Sequence, residues 1–315
     1  MSSSTEPSWT DRGTIETYRF TPDDLRPDAR TPGISAFMRI KNGADFLEAT
    51  IRSHINHVDE IVAVHNQCTD ATPEILARLK AEFGPKLRVV HYLPKVHPPG
   101  SAGHAREPAD SPASFVNMSN LALASTRHRI AMKLDDDHLA MPERLAGLVA
   151  RVRAATYRLP DTLCFSGINL ARDASGQFGV LAAEPFAGAG DHYFVEVTPA
   201  TFFVHDPRFE DFRHRGRRIF GDITYWHLKY LKPGFGFANR DIEAGGNPRF
   251  ERKRTEFLAG RRVVPLAALR KRMPAWTALP LWLMPEKMRL KASRWRRFVE
   301  AGPGDEAMAA VLGTN

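Results

Sequence analysis

Cysteine is nearly absent: Cys68 and Cys164 are the only two in 315 residues. They supply neither a disulfide framework nor the spaced thiols of a zinc site, and a reducing cytosol is the expected compartment. Long hydrophobic runs are missing as well. No stretch of 18 or more apolar residues occurs, so no helix is expected to span a membrane. Residues 1–13 are polar, carry Glu6 and Asp11 and lack an apolar centre, so a secretory leader is not expected. No internal repeat is found. What remains is an ordinary globular composition, 43% hydrophobic, with enough chain for one large α/β domain or two small ones.

The net charge of +8 is unevenly spread. Residues 249–299 hold 15 Lys and Arg against Glu251, Glu256 and Glu286, an excess of 12, so the remainder is acidic by four. This asymmetry predicts a polyanionic surface as partner of the C-terminal region.

Residues 1–32 hold Pro7, Pro22, Pro27 and Pro32 and read as an extension with little regular structure. From Gly33 the pattern alternates. Strands are predicted over 34–40, 60–65, 87–92 and 130–134, and helices over 45–55, 72–83 and 114–126; Pro73 suits the first turn of the second helix and Gly84 stops it. Strands and helices alternating at these lengths predict parallel βαβ units in a doubly wound sheet, whose ligands bind beyond the carboxyl ends of the strands. Asn42, Asn66, Asp70 and Asp135 each fall just past a predicted strand. Residues 94–112, rich in Pro and Gly with His97 and His104, read as a long loop, either a lid or a plain insertion. A helix follows over 143–156, then more antiparallel strands, and a last helix over 222–230. The domain division is an extension (1–32), a catalytic domain (33–248) and a basic tail (249–315).

The most informative stretch is Asp135-Asp136-Asp137, directly behind the strand-like Ile130-Ala-Met-Lys-Leu134. Adjacent carboxylates repel, and Mg²⁺ or Mn²⁺, which prefers hard oxygen ligands, relieves that repulsion. In extended chain Asp135 and Asp137 point the same way and could share one cation, with Asp136 facing elsewhere. The alternative is a solvated acidic turn capping the next helix.

Three segments together carry a family resemblance. They are Met38-Arg-Ile-Lys-Asn42 followed by Asp45-Phe-Leu47; residues 58–72, with His65, Asn66 and Asp70 after the second strand; and Asn117-Met-Ser-Asn-Leu-Ala-Leu-Ala124 leading to Leu134-Asp-Asp-Asp-His138. In this order they resemble family 2 of the GT-A nucleotide-sugar glycosyltransferases over residues 33 to about 230. The resemblance implies a GT-A fold and inverting sugar transfer from a nucleotide donor. It also implies a Mn²⁺ or Mg²⁺ ion held by Asp135 and Asp137, with His227 completing the shell, and a nucleotide sugar bound by Arg39, Asn42, His65, Asn66, Asp70, Lys133 and Asp136. His65 and Asn66 depart from the aspartates usual in the family, which leaves the donor base open. For the base that takes the acceptor proton the resemblance points to Asp222, read at a helix start, with Asp211, Glu210 and Asp191 in reserve. His205 competes with His227; His138 is expected to tune the acids rather than ligate; Lys229 offers charge to phosphate. The rivals are a sugar-phosphate nucleotidyltransferase, disfavoured because Arg39-Ile-Lys-Asn-Gly43 has a single glycine, and a non-catalytic glycan- or nucleotide-binding protein on the same fold.

In the tail, Trp276, Trp282 and Trp295 alternate with Lys/Arg clusters, and the apolar run 273–285 is broken by Pro274, Pro280 and Pro285. Tryptophan and basic residues favour an anionic membrane interface. Residues 250–299 are therefore expected to lie on the inner face of the cytoplasmic membrane, beside a lipid-linked or surface-glycan acceptor such as lipopolysaccharide or capsule. Helices packed on the catalytic domain are the second reading, and nucleic acid is not expected as a partner.

Overall fold

The structure, a computed structural model, describes residues 13–154, 161–237, 247–260 and 262–312. In chain order the first half contains β1 (Thr14–Ile15), β2 (Thr31–Ile40), α1 (Leu47–His54), β3 (Glu60–Asn66), α2 (Thr72–Phe83), β4 (Leu87–Tyr92), α3 (Ala102–Arg106), α4 (Phe115–Ala124), β5 (His128–Lys133), β6 (His138–Ala140) and α5 (Pro142–Arg153). The second contains β7 (Thr162–Arg172), β8 (Phe178–Leu181), β9 (Phe186–Ala187), β10 (Tyr193–Glu196), β11 (Phe202–Asp206), β12 (Phe209–Arg213), β13 (Arg218–His227), α6 (Pro248–Gly260), β14 (Val263–Val264), α7 (Leu266–Arg270), α8 (Glu286–Ala301) and α9 (Asp305–Leu312).

The main sheet runs β1-β4-β3-β2-β5-β10-β7-β13-β6. β4, β3, β2 and β5 are parallel neighbours. β10 is antiparallel to both β5 and β7, which restores the direction of β5 in β7, and β13 is parallel to β7. The carboxyl ends of β2, β3, β5, β7 and β13 therefore share one rim, together with the amino ends of the reversed strands β10 and β6. This is the expected doubly wound α/β sheet with a mixed half.

Apolar runs buried on both faces make these central strands: all seven residues of β3 are buried, as are ten of the eleven in β7. Helices cover both sides. Leu47, Ile51, Leu76 and Leu79 of α1 and α2 join one core; Val116, Leu121 and Leu123 of α4 join the other. The capping residues behave as their chemistry dictates: Ser114 Oγ accepts from the Asn117 N–H at the start of α4, and Pro73 opens α2, which ends at Gly84 with φ +57°.

Four expectations change. Residues 222–230 are not a helix: β13 runs to His227. Its Ile223, Tyr225 and Trp226 are buried between β7 and β6, and burial on both faces overrides a spacing that also fits a helix. Of the N-terminal extension, residues 1–12 lie outside the described residues and the rest packs on the body: β1 extends the sheet beside β4, Leu25 is buried, and Arg30 donates to the Leu25, Thr126 and His128 carbonyls. Residues 94–112 contain α3, tied down by His104, whose Nε2 lies 3.0 Å from the Asp206 carbonyl. Finally, Trp295 is core, edge-on to Phe186 at 4.9 Å, and α8 packs on β9 and β13 through Leu290, Arg294 and Phe298 rather than presenting its tryptophan to a membrane.

Candidate functional site

A cleft of about 850 Å³ opens on this rim. Its floor carries Asp135, Asp136 and Asp137 after β5, Asn169 near the end of β7, His227 at the end of β13, and Asp191 and His192 ahead of β10. One wall is Asn42 in the turn after β2 and Asp70 in the turn after β3; the other is Tyr230, Phe237 and the α6 residues Phe250 and Phe257.

The three aspartates face different partners. Asp135 Oδ2 accepts from His192 Nε2 at 2.9 Å, with Lys133 Nζ at 3.7 Å and Arg39 Nη2 at 4.0 Å from Oδ1. Asp137 Oδ1 lies 3.3 Å from His227 Nε2, and its Oδ2 lies 3.0 Å from Lys232 Nζ. The same ammonium donates to Asp136 Oδ2 at 2.9 Å. Burial pushes the Asp135 and Asp137 carboxyls up, but Lys133 and His192 around the first, and Lys232 and His227 around the second, outweigh it and hold both well below the usual carboxylate range. For Asp136, burial and the Asp137 and Asp135 charges outweigh Lys232 and raise its pKa. When the cluster takes up a proton, Asp136 is the member that carries it.

The donor set fits a divalent cation. Two carboxylates are held ionised, and His227 is oriented for ligation: its Nδ1 is 2.5 Å from Asn169 Oδ1. An amide oxygen only accepts, so Nδ1–H is the donor to Asn169, and Nε2 is the ring nitrogen that faces Asp137 and would take an ion. Two groups bring their ligand atoms within 4.8 Å of one another: Asp137 with His138 and His227, and Asp135 with His138 and His192. Each group contains one of the two aspartates. Neither group among the described residues contains both aspartates, whose carboxylates face different histidines.

The remaining predicted residues divide. Arg39 lines the cleft, pairs with Glu210, donates to Ser119 Oγ at 2.8 Å and stacks on Phe115 and Phe203. Asn42, at φ +54°, accepts from the Thr69 N–H at 2.8 Å and holds the two rim loops together. Asp70 lines the cleft and accepts from the Ala44 and Thr72 amides; these N–H groups and the Thr72 hydroxyl outweigh burial and lower its pKa.

His65 and Asn66 do not reach the cleft. His65 is buried against His91, ring centroids 4.4 Å apart, and Asn66 spends its amide on the Tyr92 and Pro94 carbonyls. Lys133 acts on Asp135 from below the rim. Lys229 lines the cleft, its ammonium 4.9 Å from the centre of the Phe237 ring.

Asp222 stands apart from the cleft residues. It sits within β13, five residues before His227, which in extended chain is about 16 Å. Its carboxylate is held by Arg144 and by Arg297 Nε at 3.0 Å, outside the cleft. Among its reserves, Glu210 is engaged by Arg39, Asp211 is exposed on the β11–β12 hairpin, and Asp191 lines the cleft. His205 lies on that hairpin beside His104.

The sequence reading missed His192, Asn169, Tyr225 and Lys232. One faint signal was available: Gly188-Ala-Gly-Asp-His192 puts an acid and a histidine after two glycines and before a strand.

No protein-family model matches the chain, and no curated protein does. Solved structures give loose matches. Glucosyl-3-phosphoglycerate synthase from Mycobacterium tuberculosis, with Mg²⁺ and uridine diphosphate, is 18% identical over 50% of this chain and 50% of its own, with a TM-score of 0.30. A mycobacterial protein is 14% identical over 71% of this chain and 76% of its own, with a TM-score of 0.39. Residues 1–349 of S. aureus TarS are 11% identical over 89% and 91%, with a TM-score of 0.36. The chain spans about half the length of the synthase it matches. Likenesses this loose define no activity.

Proposed function

We propose that the protein is a metal-dependent glycosyltransferase of GT-A architecture that moves a sugar from a nucleotide donor to a glycan acceptor. One observation carries the reading: Asp137 and a His227 oriented by Asn169 converge on the floor of a large cleft at the carboxyl rim of a doubly wound sheet. Asp137 and His227 would hold the Mn²⁺ or Mg²⁺ ion, which supplies Lewis-acid stabilisation to a departing nucleoside diphosphate. Around them Arg39, Lys229 and Lys232 bring positive charge to the same floor, suited to a diphosphate. Asn42 and Asp70 shape the wall on the nucleotide side, and the aromatic wall of Tyr230, Phe237 and Phe257 excludes water from the sugar. Asp191, the lining acid beside His192, would take the acceptor proton in an inverting transfer.

A membrane-borne surface glycan as acceptor is supported by the loop before α8. Leu279, Trp282 and Leu283 are 52, 80 and 60% exposed, and Lys271, Arg272 and Lys287 are exposed nearby in the chain. On this reading the protein works at the inner face of the cytoplasmic membrane.

The test is a thermal-shift panel of nucleoside diphosphates with and without Mn²⁺. Ligand at a hundred times its Kd adds about 2.7 kcal/mol, which for a chain of this size is roughly 5 °C. One diphosphate is expected to give such a shift with Mn²⁺ only, and Asp137→Ala to remove it. An equal shift without metal overturns the reading.

A further inference from the structure

His138 is fully buried, and neither Nδ1 nor Nε2 has a hydrogen-bond partner among the described residues. Leaving such groups unsatisfied costs about 1–3 kcal/mol each, and this ring is nonetheless fixed in place. It stacks on Tyr225 with centroids 3.7 Å apart and meets the His192 ring edge-on at 4.5 Å. The β6–β13 register sets His138 directly opposite His227. A buried, unpartnered imidazole thus stands between the two acid–histidine clusters.

We propose that Asp135, His138 and His192 form a second cation position, separate from that of Asp137 and His227 and suited to a borderline ion such as Zn²⁺ or Co²⁺ rather than Mg²⁺. The spacing is appropriate: Asp135 Oδ2 is 2.9 Å from His192 Nε2 and 4.0 Å from His138 Nε2, while ligands at bond lengths near 2.0–2.1 Å around a tetrahedral ion stand roughly 3.4 Å apart. Donor chemistry sets the preference. Two imidazoles to one carboxylate favour zinc or cobalt, whereas Mg²⁺ wants oxygen. A neutral imidazole has one lone pair, so His138 serves one ion at a time. Assigned here, it leaves Asp137 and His227 with open positions for substrate oxygens.

The surroundings are built for this arrangement. His192 Nδ1 is 2.8 Å from the Tyr225 hydroxyl, the outer hydrogen bond that orients a ligating histidine. In the structure the His192 Nε2–H donates to Asp135 and the Tyr225 hydroxyl donates to Nδ1. With an ion on Nε2 the ring proton resides on Nδ1, and the Tyr225 oxygen accepts from it. Both rings are seated by glycine: a Cβ at Gly167 would lie 2.1 Å from the Tyr225 ring, and one at Gly188, where φ is +76°, would lie 2.8 Å from His192 Nδ1. This cation position stands on its own three ligands, while the count of two ions rests on the Asp137–His227 position of the proposed function.

The test is equilibrium dialysis of the full chain, stripped with chelator, against Co²⁺ alone and against Co²⁺ with a large excess of Mg²⁺, followed by visible absorption. Two Co²⁺ per chain are expected without Mg²⁺ and one with it. His192→Gln should lose the Mg²⁺-resistant ion, His227→Gln should keep it, and Tyr225→Phe should weaken it by about tenfold, the low end for an outer-shell partner. Complete displacement of Co²⁺ by Mg²⁺ in the wild type, or a Mg²⁺-resistant ion that His192→Gln keeps, overturns the proposal, whereas a single Mg²⁺-resistant ion that His192→Gln loses supports it and counts against the Asp137–His227 position. The wild-type count with Mg²⁺ keeps the proposal open to failure even if the His192 variant does not fold.

Discussion

At the residue scale, two buried histidines outside the cleft lining set a pH limit on stability. His54 closes the last turn of α1 with Nδ1 2.8 Å from the Thr50 carbonyl, and burial brings its pKa down to about 4. His65, desolvated and stacked on His91, is also lowered to about 4. Above the ordinary histidine pKa of about 6.5 both folded and unfolded chains are neutral at these positions, and pH has no effect through them. Below it the unfolded chain takes up protons that the folded chain refuses, so stability falls as pH drops from about 6.5 toward 4. For His54 the loss is about 2 kcal/mol by pH 5. Urea unfolding at about pH 7.5 and pH 5 should show it, and His54→Gln should flatten that dependence. A variant as pH-sensitive as the wild type would contradict the assignment.

At the scale of elements, β13 is the organising strand. Its carboxyl end presents His227, while its amino half binds the sheet to the helices over it. Asp222 receives Arg144 from α5 and Arg297 from α8, and Arg144 Nε also donates to the Ile223 carbonyl. Breaking a fully buried pair costs about 3–5 kcal/mol. The Arg297 side chain is 42% exposed, so Asp222→Ala is expected to cost less, about 2–3 kcal/mol. Because this carboxylate is remote from the rim, the variant should retain the Mn²⁺-dependent diphosphate shift from a lower starting Tm. Loss of the shift in a folded Asp222→Ala protein would return Asp222 to the catalytic machinery.

At the scale of the whole molecule, the basic C-terminal region divides in two. α8 belongs to the core: Arg294 is buried and donates to the Gly188 carbonyl at 2.6 Å, Trp295 and Phe298 are buried, and Arg270 of α7 donates to the carbonyls of Phe298, Gly302 and Pro303 at the end of α8. The loop before α8 projects Trp282 and Leu283 outward. Among the described residues no helix is long and apolar enough to cross a membrane, so membrane contact would fall to this loop and the charges around it. Each Lys or Arg near an anionic surface adds about 1 kcal/mol, and an inserted large apolar side chain adds about 1.5–3 kcal/mol. Truncation would remove core residues and confuse unfolding with detachment, so point substitutions are the sound probe. The double variant Trp282→Ala, Leu283→Ala should reduce partitioning onto phosphatidylglycerol-rich vesicles by at least about tenfold. Equal binding by both proteins would remove the loop from that role.

The sequence by itself determined the parallel half of the sheet and the place of the acid cluster on its rim. Apolar runs such as those of β3 and β5, alternating with capped helices such as α2, state their geometry locally, and a run ending in Asp135-Asp136-Asp137 must deliver those residues beyond a strand end. What answers those acids was decided by tertiary structure alone. His192, His227 and Lys232 reach them across 57, 90 and 96 residues of chain, brought together by one antiparallel strand inserted between β5 and β7 and by the pairing of β6 with β13. Such pairings depend on strand order, which no local spacing encodes. The same holds for Asp222 and His227: helical and extended spacing fit residues 222–230 equally, and burial of β13 between two strands decided that one would meet arginines and the other the acids.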